Sequence, residues 1–336
     1  MKLSEFDYDI PQDQIAQYPP PNRDASRLCV LNRESDRFEH RFFKDIVEFL
    51  KPGDVLVLND TRVIPARLLG TRSSGGKTEI MLLKELEENV WEAIMKGAFS
   101  GKVMLKGGIT AHISPSNGVA RVKFEGRDIR GSLDKIGVMA LPPYIKRTAV
   151  KADTERYQTV YADKEGAIAA PTAGLHFTDK IIQAIKKKGV EVRMLTLHVG
   201  YGTFKPVRSG DIKDHVMDAE SYEISEETAG AVNRAKAEGR RVIAVGTTAT
   251  RALEASASGC SGKRIKSGLG TTSIFIYPSY KFRIIDALVT NFHQPKSTPM
   301  MLTSAFSGLS LLKKAYAGAQ EAGYRFFSYG DAMLVI

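Results

Sequence analysis

The sequence predicts an α/β main domain interrupted by a smaller all-β, barrel-like insert. Short apolar runs of strand length alternate with helix-like segments before residue 66 and after residue 146. Between about Arg67 and Met139 the texture changes to short segments broken by Gly, Ser and Asn. A chain of 336 residues is long enough for two domains at about 150 residues each. The expected division is therefore 1–66 with 146–336 as a discontinuous α/β domain, and 67–145 as the insert.

Taken in order, Asp54-Val55-Leu56-Val57-Leu58-Asn59 is an apolar run opened by Pro52-Gly53 and closed by Asn59-Asp60-Thr61, which predicts a buried strand ending in a polar loop. In the insert, Ser73-Ser74-Gly75-Gly76, Lys106-Gly107-Gly108 and Pro115-Ser116-Asn117-Gly118 mark turns. Ile109, Ala111 and Ile113, then Ala120, Val122 and Phe124, alternate with polar residues as the arms of a hairpin. The single tryptophan, Trp91, also falls here. After Leu141-Pro142-Pro143 the pattern turns to βα units. Asp179 to Lys188 predicts a helix with Ile181, Ile182 and Ile185 inward and Gly189 as its stop, followed by a strand from Val190 to Val199. Glu226 to Glu238 predicts a second helix, ended by Gly239, and Arg241 to Val245 a buried strand running into Gly246-Thr247-Thr248.

Lys and Arg number 48 against 38 Asp and Glu, a formal charge of +10, which favours polyanionic partners such as RNA or DNA. Two cysteines, Cys29 and Cys260, are too few for a disulfide scaffold and too distant for a zinc ribbon, so a reducing cytoplasm is expected. The start, Met1-Lys2-Leu3-Ser4-Glu5-Phe6-Asp7-Tyr8, lacks the apolar stretch of a secretory signal, and no segment has membrane-spanning length. No fixed-period repeat or low-complexity tract occurs.

Four segments have the composition of a site. The strand 241–245 stops in Gly246-Thr247-Thr248-Ala249-Thr250-Arg251 and turns into a helix, leaving N–H groups aimed past the carboxyl end of the sheet, where a carboxylate would fit. An ordinary threonine cap would read the same way. Ala170-Pro171-Thr172-Ala173-Gly174-Leu175-His176-Phe177-Thr178, Leu197-His198-Val199-Gly200-Tyr201-Gly202-Thr203-Phe204 and Thr290-Asn291-Phe292-His293-Gln294-Pro295-Lys296-Ser297-Thr298 each set a histidine among small and polar residues. A lone histidine on an apolar strand is more often a hydrogen-bonded core residue, but three in such loops favour function. No metal is expected, because no His-Glu-x-x-His, His-x-His or Cys pair is present. Gly76-Lys77-Thr78 lacks the preceding glycine of a phosphate-binding loop, and neither a Gly-x-Gly-x-x-Gly βαβ opening nor a Gly-x-Ser-x-Gly elbow occurs. Arg62, Arg67, Arg72, Arg147, Arg156, Arg251 and Lys296 recur beside these loops, as a site for an extended anionic substrate would require.

At these residues the chain resembles the S-adenosylmethionine:tRNA ribosyltransferase-isomerases of queuosine biosynthesis. The matching segments are Leu58 to Leu68, Ala170 to Thr178, His198 to Val207, Gly246 to Glu254, Thr290 to Thr298 and Tyr329 to Leu334. Ser279, Gln294 and Pro299 depart from the family pattern, Ser279 standing at a glycine position. The resemblance implies transfer and isomerisation of the ribosyl moiety of S-adenosylmethionine onto 7-aminomethyl-7-deazaguanine at the tRNA wobble position. The products would be epoxyqueuosine-tRNA, adenine and methionine. It also implies an α/β plus β-barrel fold, no cofactor other than S-adenosylmethionine as a consumed co-substrate, and tRNA as partner, with no membrane association. A monomer in the cytoplasm is expected. A non-catalytic RNA-binding protein and a conventional methyltransferase are the alternatives.

His176, His198, His293 and Asp60 are the candidate catalytic residues, expected to converge with Arg251 at the carboxyl edge of one sheet. Candidate substrate-binding residues are Thr61, Arg62, Thr172, Gly174, Gly200, Gly202, Thr203, Thr247, Thr248, Arg251, Asn291 and Lys296, with Arg251 expected to hold an anionic or polar oxygen of the ligand.

Overall fold

A computed structural model describes the chain apart from residues 98, 117, 127, 205, 206, 208 and 209. Asn117 of the expected hairpin turn, and Lys205 and Pro206 of the His198 to Val207 segment, therefore lie outside the described residues. The main sheet has nine strands among the described residues, in the order Gly268–Thr272, Glu220–Ile224, Glu191–Leu197, Val55–Asn59, Val242–Val245, Ala287–Asn291, Ala332–Val335, Arg27–Asn32 and Arg37–Phe42. The run from Glu191–Leu197 to Ala287–Asn291 is parallel. Antiparallel partners flank it on both sides.

Alternation along the central strands explains the layers. Val55 and Val57 point into one apolar layer and Leu56 and Leu58 into the other, as do Val242 and Ala244 against Ile243 and Val245. Strands buried on both faces carry apolar residues at every position, so their sequences show continuous runs rather than alternation. One face is covered by helix Asp179–Lys187, whose Ile181, Ile182 and Ile185 are buried and whose first turn is capped by Thr178 accepting from the Ile181 N–H at 3.2 Å. Helices Glu226–Ala237, Gly246–Ser256, Thr298–Ser307 and Leu309–Glu321 cover the other.

The insert closes as a six-stranded antiparallel barrel from Arg67–Arg72, Lys77–Glu87, Val90–Met95, Val119–Phe124, Thr110–Ser116 and Gly101–Leu105, the last pairing back to the first. Ala111, Ile113, Ala120, Val122, Phe124 and Trp91 fill its interior. Gly76 lies in the turn before the strand Lys77–Glu87, so no helix follows to make a phosphate loop. The insert is not all-β: helix Ile129–Ile136, capped by Asp128 and burying Ile129, Leu133 and Ile136, packs on the barrel core. Its apolar residues recur at helical spacing, a signal masked by the surrounding glycines. Gly137, just beyond it, passes against the Pro65 carbonyl where the chain enters the barrel; any side chain there would collide with that backbone.

Candidate active site

The four parallel strands end at Leu197, Asn59, Val245 and Asn291. Asn59, fully buried, ties three of these ends together. Its Nδ2 donates to the Leu197 carbonyl at 3.0 Å and to Thr248 Oγ1 at 3.2 Å, and its Oδ1 accepts from the Leu197 and Thr61 N–H groups. Beyond the ends opens a crevice that encloses about 710 Å³ together with the solvent at its mouth. A side recess of about 390 Å³ shares Thr203, Thr247, Thr248 and Pro299 with it, so the cavity is elongated.

Two helix N-termini open on this crevice. In Gly246–Ser256 no side chain caps the first turn, and Gly246, at φ 89°, makes a backbone bend that a side chain would strain. In Thr298–Ser307, Ser297 caps by accepting from the Met300 N–H at 3.4 Å. Polar groups come from Thr172, Thr203, Thr247, Thr248, Thr290, Asn291, His293, Gln294, Ser297 and Ser328, and aromatic side chains from Tyr144, Tyr157, Phe292 and Phe327. Among the described residues the wall carries no Asp, Glu, Lys or Arg.

His293 stands in this wall with Nε2 at 2.7 Å from Thr290 Oγ1. Its backbone N–H donates to the Tyr316 hydroxyl at 2.9 Å. Burial pushes the imidazole down to about 3, so it is neutral near pH 7. Tyr144 hydrogen-bonds Ser328 Oγ at 2.5 Å, stacks obliquely on Phe327 and has its phenol pushed up to about 12 by burial. Behind this aromatic side, Asp153 binds Arg147 through two oxygens at 2.7 and 2.8 Å and accepts from the Tyr329 hydroxyl at 2.8 Å. Burial opposes the charge on Asp153, but its bonds to Arg147, the Val150 N–H and Tyr329 outweigh that and hold its carboxyl below the usual range.

The expected convergence of Asp60, His176, His198, Arg251 and His293 on one wall is not what the fold produces. Thr172, Thr203, Thr247, Thr248, Asn291 and His293 share the crevice. His176 lies behind it, 3% exposed, with Nδ1 at 2.7 Å from Ser26 Oγ and Nε2 at 3.1 Å from Asn291 Nδ2. Its imidazole, pushed down to about 3 by burial and then by Arg325 and Arg23, stays neutral. His198 turns the other way, towards Thr61 Oγ1 at 2.8 Å and against Gly166. Asp60 accepts from Thr196 Oγ1 at 2.6 Å, its carboxyl raised chiefly by burial. Arg62 is half-exposed opposite Glu165, Lys296 pairs with Asp7, and Gly174 packs on Tyr161 and Thr159. Gly200 donates its N–H to Glu220 at 3.0 Å and Gly202 abuts Asp218. Arg251 borders the side recess, yet its guanidinium is matched by buried Glu220 and by the Ile274 and Thr272 carbonyls, so its charge is already used. The reason is common to all: strand ends converge, but side chains alternate, and adjacent loop residues face opposite layers.

Sequence reasoning missed Tyr144, Tyr157, Phe327 and Ser328 in the wall. A signal existed in the dense aromatic run Tyr324 to Tyr329, where Phe327 takes φ 72°. Ser279, at φ 92°, holds a conformation that favours glycine, which explains the glycine expected there.

Residues 3–335 match the family model described as queuosine biosynthesis protein. The chain is 47% identical over the full length of both chains to a protein of Sulfurihydrogenibium sp., and 48% identical, again over both full lengths, to one of Halothermothrix orenii. Both are named S-adenosylmethionine:tRNA ribosyltransferase-isomerase. A crystal structure of S-adenosylmethionine tRNA ribosyltransferase from Thermotoga maritima matches with TM-score 0.59 and 37% identity, covering 99% of this chain and 100% of that one. The chain belongs to the queuosine biosynthesis protein family.

Proposed function

We propose that the protein transfers and isomerises the ribosyl moiety of S-adenosylmethionine onto 7-aminomethyl-7-deazaguanine at the tRNA wobble position, and that the crevice at the carboxyl edge of the four parallel strands is where it does so. The observation that carries the placement is the joining of four strand ends and two helix N-termini on one crevice whose described lining residues include no Asp, Glu, Lys or Arg. The uncapped start of Gly246–Ser256 suits the methionine carboxylate, because its N–H groups and helix dipole favour negative charge. Aromatic side chains on the wall suit the sulfonium and the adenine ring.

The chemistry divides into steps that such a wall supports. The sulfonium acidifies C5′; a base takes its proton and adenine is expelled from the sugar, gaining a proton on a ring nitrogen; the substrate amine then adds, giving up its own proton, and an epoxide closes as methionine leaves. His293, neutral and in the wall, carries one ring N–H that can donate to the departing base. The units 1–66 with 146–336 and 67–145 divide the work: the first holds S-adenosylmethionine, and the barrel shapes the groove for tRNA. The protein acts as a monomer in the cytoplasm; among the described residues no helix is long and apolar enough to cross a membrane.

Incubation with S-adenosylmethionine labelled in the ribose and with precursor-bearing tRNA tests the reading. Ribose label in tRNA, with adenine and methionine released one for one, is the expected result. Methyl label in tRNA, or no transfer, overturns it.

A further inference from the structure

Asn291 ends the central strand Ala287–Asn291, is 1% exposed and lines the crevice. Its Nδ2 donates to the Phe327 carbonyl at 3.3 Å and to His176 Nε2 at 3.1 Å. Its Oδ1 has no partner among the described residues. The orientation of the amide follows from chemistry. Phe327 offers a carbonyl, which only accepts, so the NH₂ must face it and Oδ1 must face away. His176 must then accept at Nε2 and carry its proton on Nδ1, which donates to Ser26 Oγ; that hydroxyl in turn donates to the Arg23 carbonyl at 3.2 Å. The relay from Arg23 to Asn291 is satisfied at every atom except the last. A buried acceptor left open costs about 1–3 kcal/mol unless a ligand fills it.

Resting on the crevice as the S-adenosylmethionine site, we infer that His176 is a positioning residue that, together with the Phe327 carbonyl, holds the Asn291 amide so that Oδ1 accepts an amino N–H of the co-substrate. His176 touches no reacting atom; Asn291 reads the ligand. With Nδ2 already used, Asn291 offers an acceptor only, so it selects for an N–H donor and against a carbonyl. Two amino groups of S-adenosylmethionine can supply the donor, the one on the adenine ring and the one on the methionine carbon.

Two analogues separate these sources: one in which the adenine amino group is replaced by a carbonyl, and one lacking the methionine amino group. The wild-type protein is expected to discriminate against one of them by about 10- to 100-fold in kcat/KM, the effect of one open buried acceptor. In His176→Phe Nδ2 keeps only the 3.3 Å bond to the Phe327 carbonyl, so the amide is held less firmly and that discrimination should fall by about threefold or more. His176→Gln, whose side-chain oxygen can still accept from Nδ2, should restore it. Asn291→Asp presents an oxygen to His176 Nε2 and needs a proton between them. Its activity should therefore fall as pH rises through the raised pKa of that imidazole, which Arg23, Arg325 and the Ser26 hydroxyl also face, a limb the wild type lacks. Because Asn291→Asp leaves the imidazole in place, its pH profile decides the matter if His176→Phe fails to fold. Discrimination unchanged in His176→Phe, or no alkaline limb in Asn291→Asp, overturns the inference. Absence of ribose transfer by the wild-type protein overturns the reading of the site instead.

Discussion

The crevice and the barrel handle charge in opposite ways. Along the crevice the described side chains are neutral, and the hydrogen bonds at and behind it, such as Asn59 to Thr248 and Asn291 to His176, are internal to the protein. On the barrel, residues 67–145 carry twelve Lys and Arg against eight Asp and Glu. Several form solvent-facing pairs, such as Arg67 with Glu79, Arg121 with Glu87 and Arg130 with Glu85. Exposed pairs of this kind contribute little to stability, about 0–1 kcal/mol, so their cations can be redirected to phosphates at small cost. The contrast teaches that a positive overall charge says where a polyanion can land and nothing about where the reaction occurs.

Acid should separate the two regions most. His176 has its pKa pushed down to about 3 by burial, below its unfolded value of about 6.5. Stability from keeping it neutral is present above about 6.5 and is lost as pH falls towards 3, amounting to about 5 kcal/mol at most. The barrel's one histidine, His112, is exposed beside Glu125. Amide exchange at pH 7 and pH 4 is expected to show protection lost across Ala287–Asn291 while barrel strands keep theirs. Equal loss in both would break the contrast.

His293→Ala should lower turnover by about 10² to 10⁴, the range for one acid–base or donor group, with tRNA affinity unchanged. Next, Asp153→Asn removes a buried partner of Arg147 and Tyr329 and should destabilise the protein by about 3 kcal/mol in denaturant unfolding. Reversing Arg72, Lys77 and Lys96, which line one groove of the barrel, to Glu should raise the tRNA KM about tenfold and leave kcat unchanged. The slope of log affinity against log salt should become shallower by about 0.7–0.9 for each phosphate that the variant no longer neutralises. A drop in kcat instead would place chemistry at the barrel. Ser279→Gly relieves the φ of 92° and should stabilise by about 1 kcal/mol, read as a shift in denaturant midpoint.

Legibility followed the range of the forces. The strand at Val55–Asn59 and the helix at Asp179–Lys187 are readable because apolar period and local stop signals lie within a few residues. Closure of the barrel depends on Arg67–Arg72 meeting Gly101–Leu105, which only the paired backbone reveals. The histidines are the hardest: His176 sits in a Gly- and Pro-rich segment like a catalytic loop, but its partners Ser26 and Asn291 are 150 and 115 residues away. A satisfied core histidine and a site histidine have the same local sequence. Tyr144 and Phe327 come together from distant segments, beyond the reach of any local pattern.

The central claim is that S-adenosylmethionine binds along the carboxyl edge of the four parallel strands. A crystal structure with a non-reactive S-adenosylmethionine analogue tests it most directly. The expected result is a ligand in the crevice, its carboxylate within about 3 Å of the N–H groups of Thr247 and Thr248 and an amino group on Asn291 Oδ1. A ligand bound instead beside His198 and Thr61, or on the barrel, with the crevice unchanged, would contradict it.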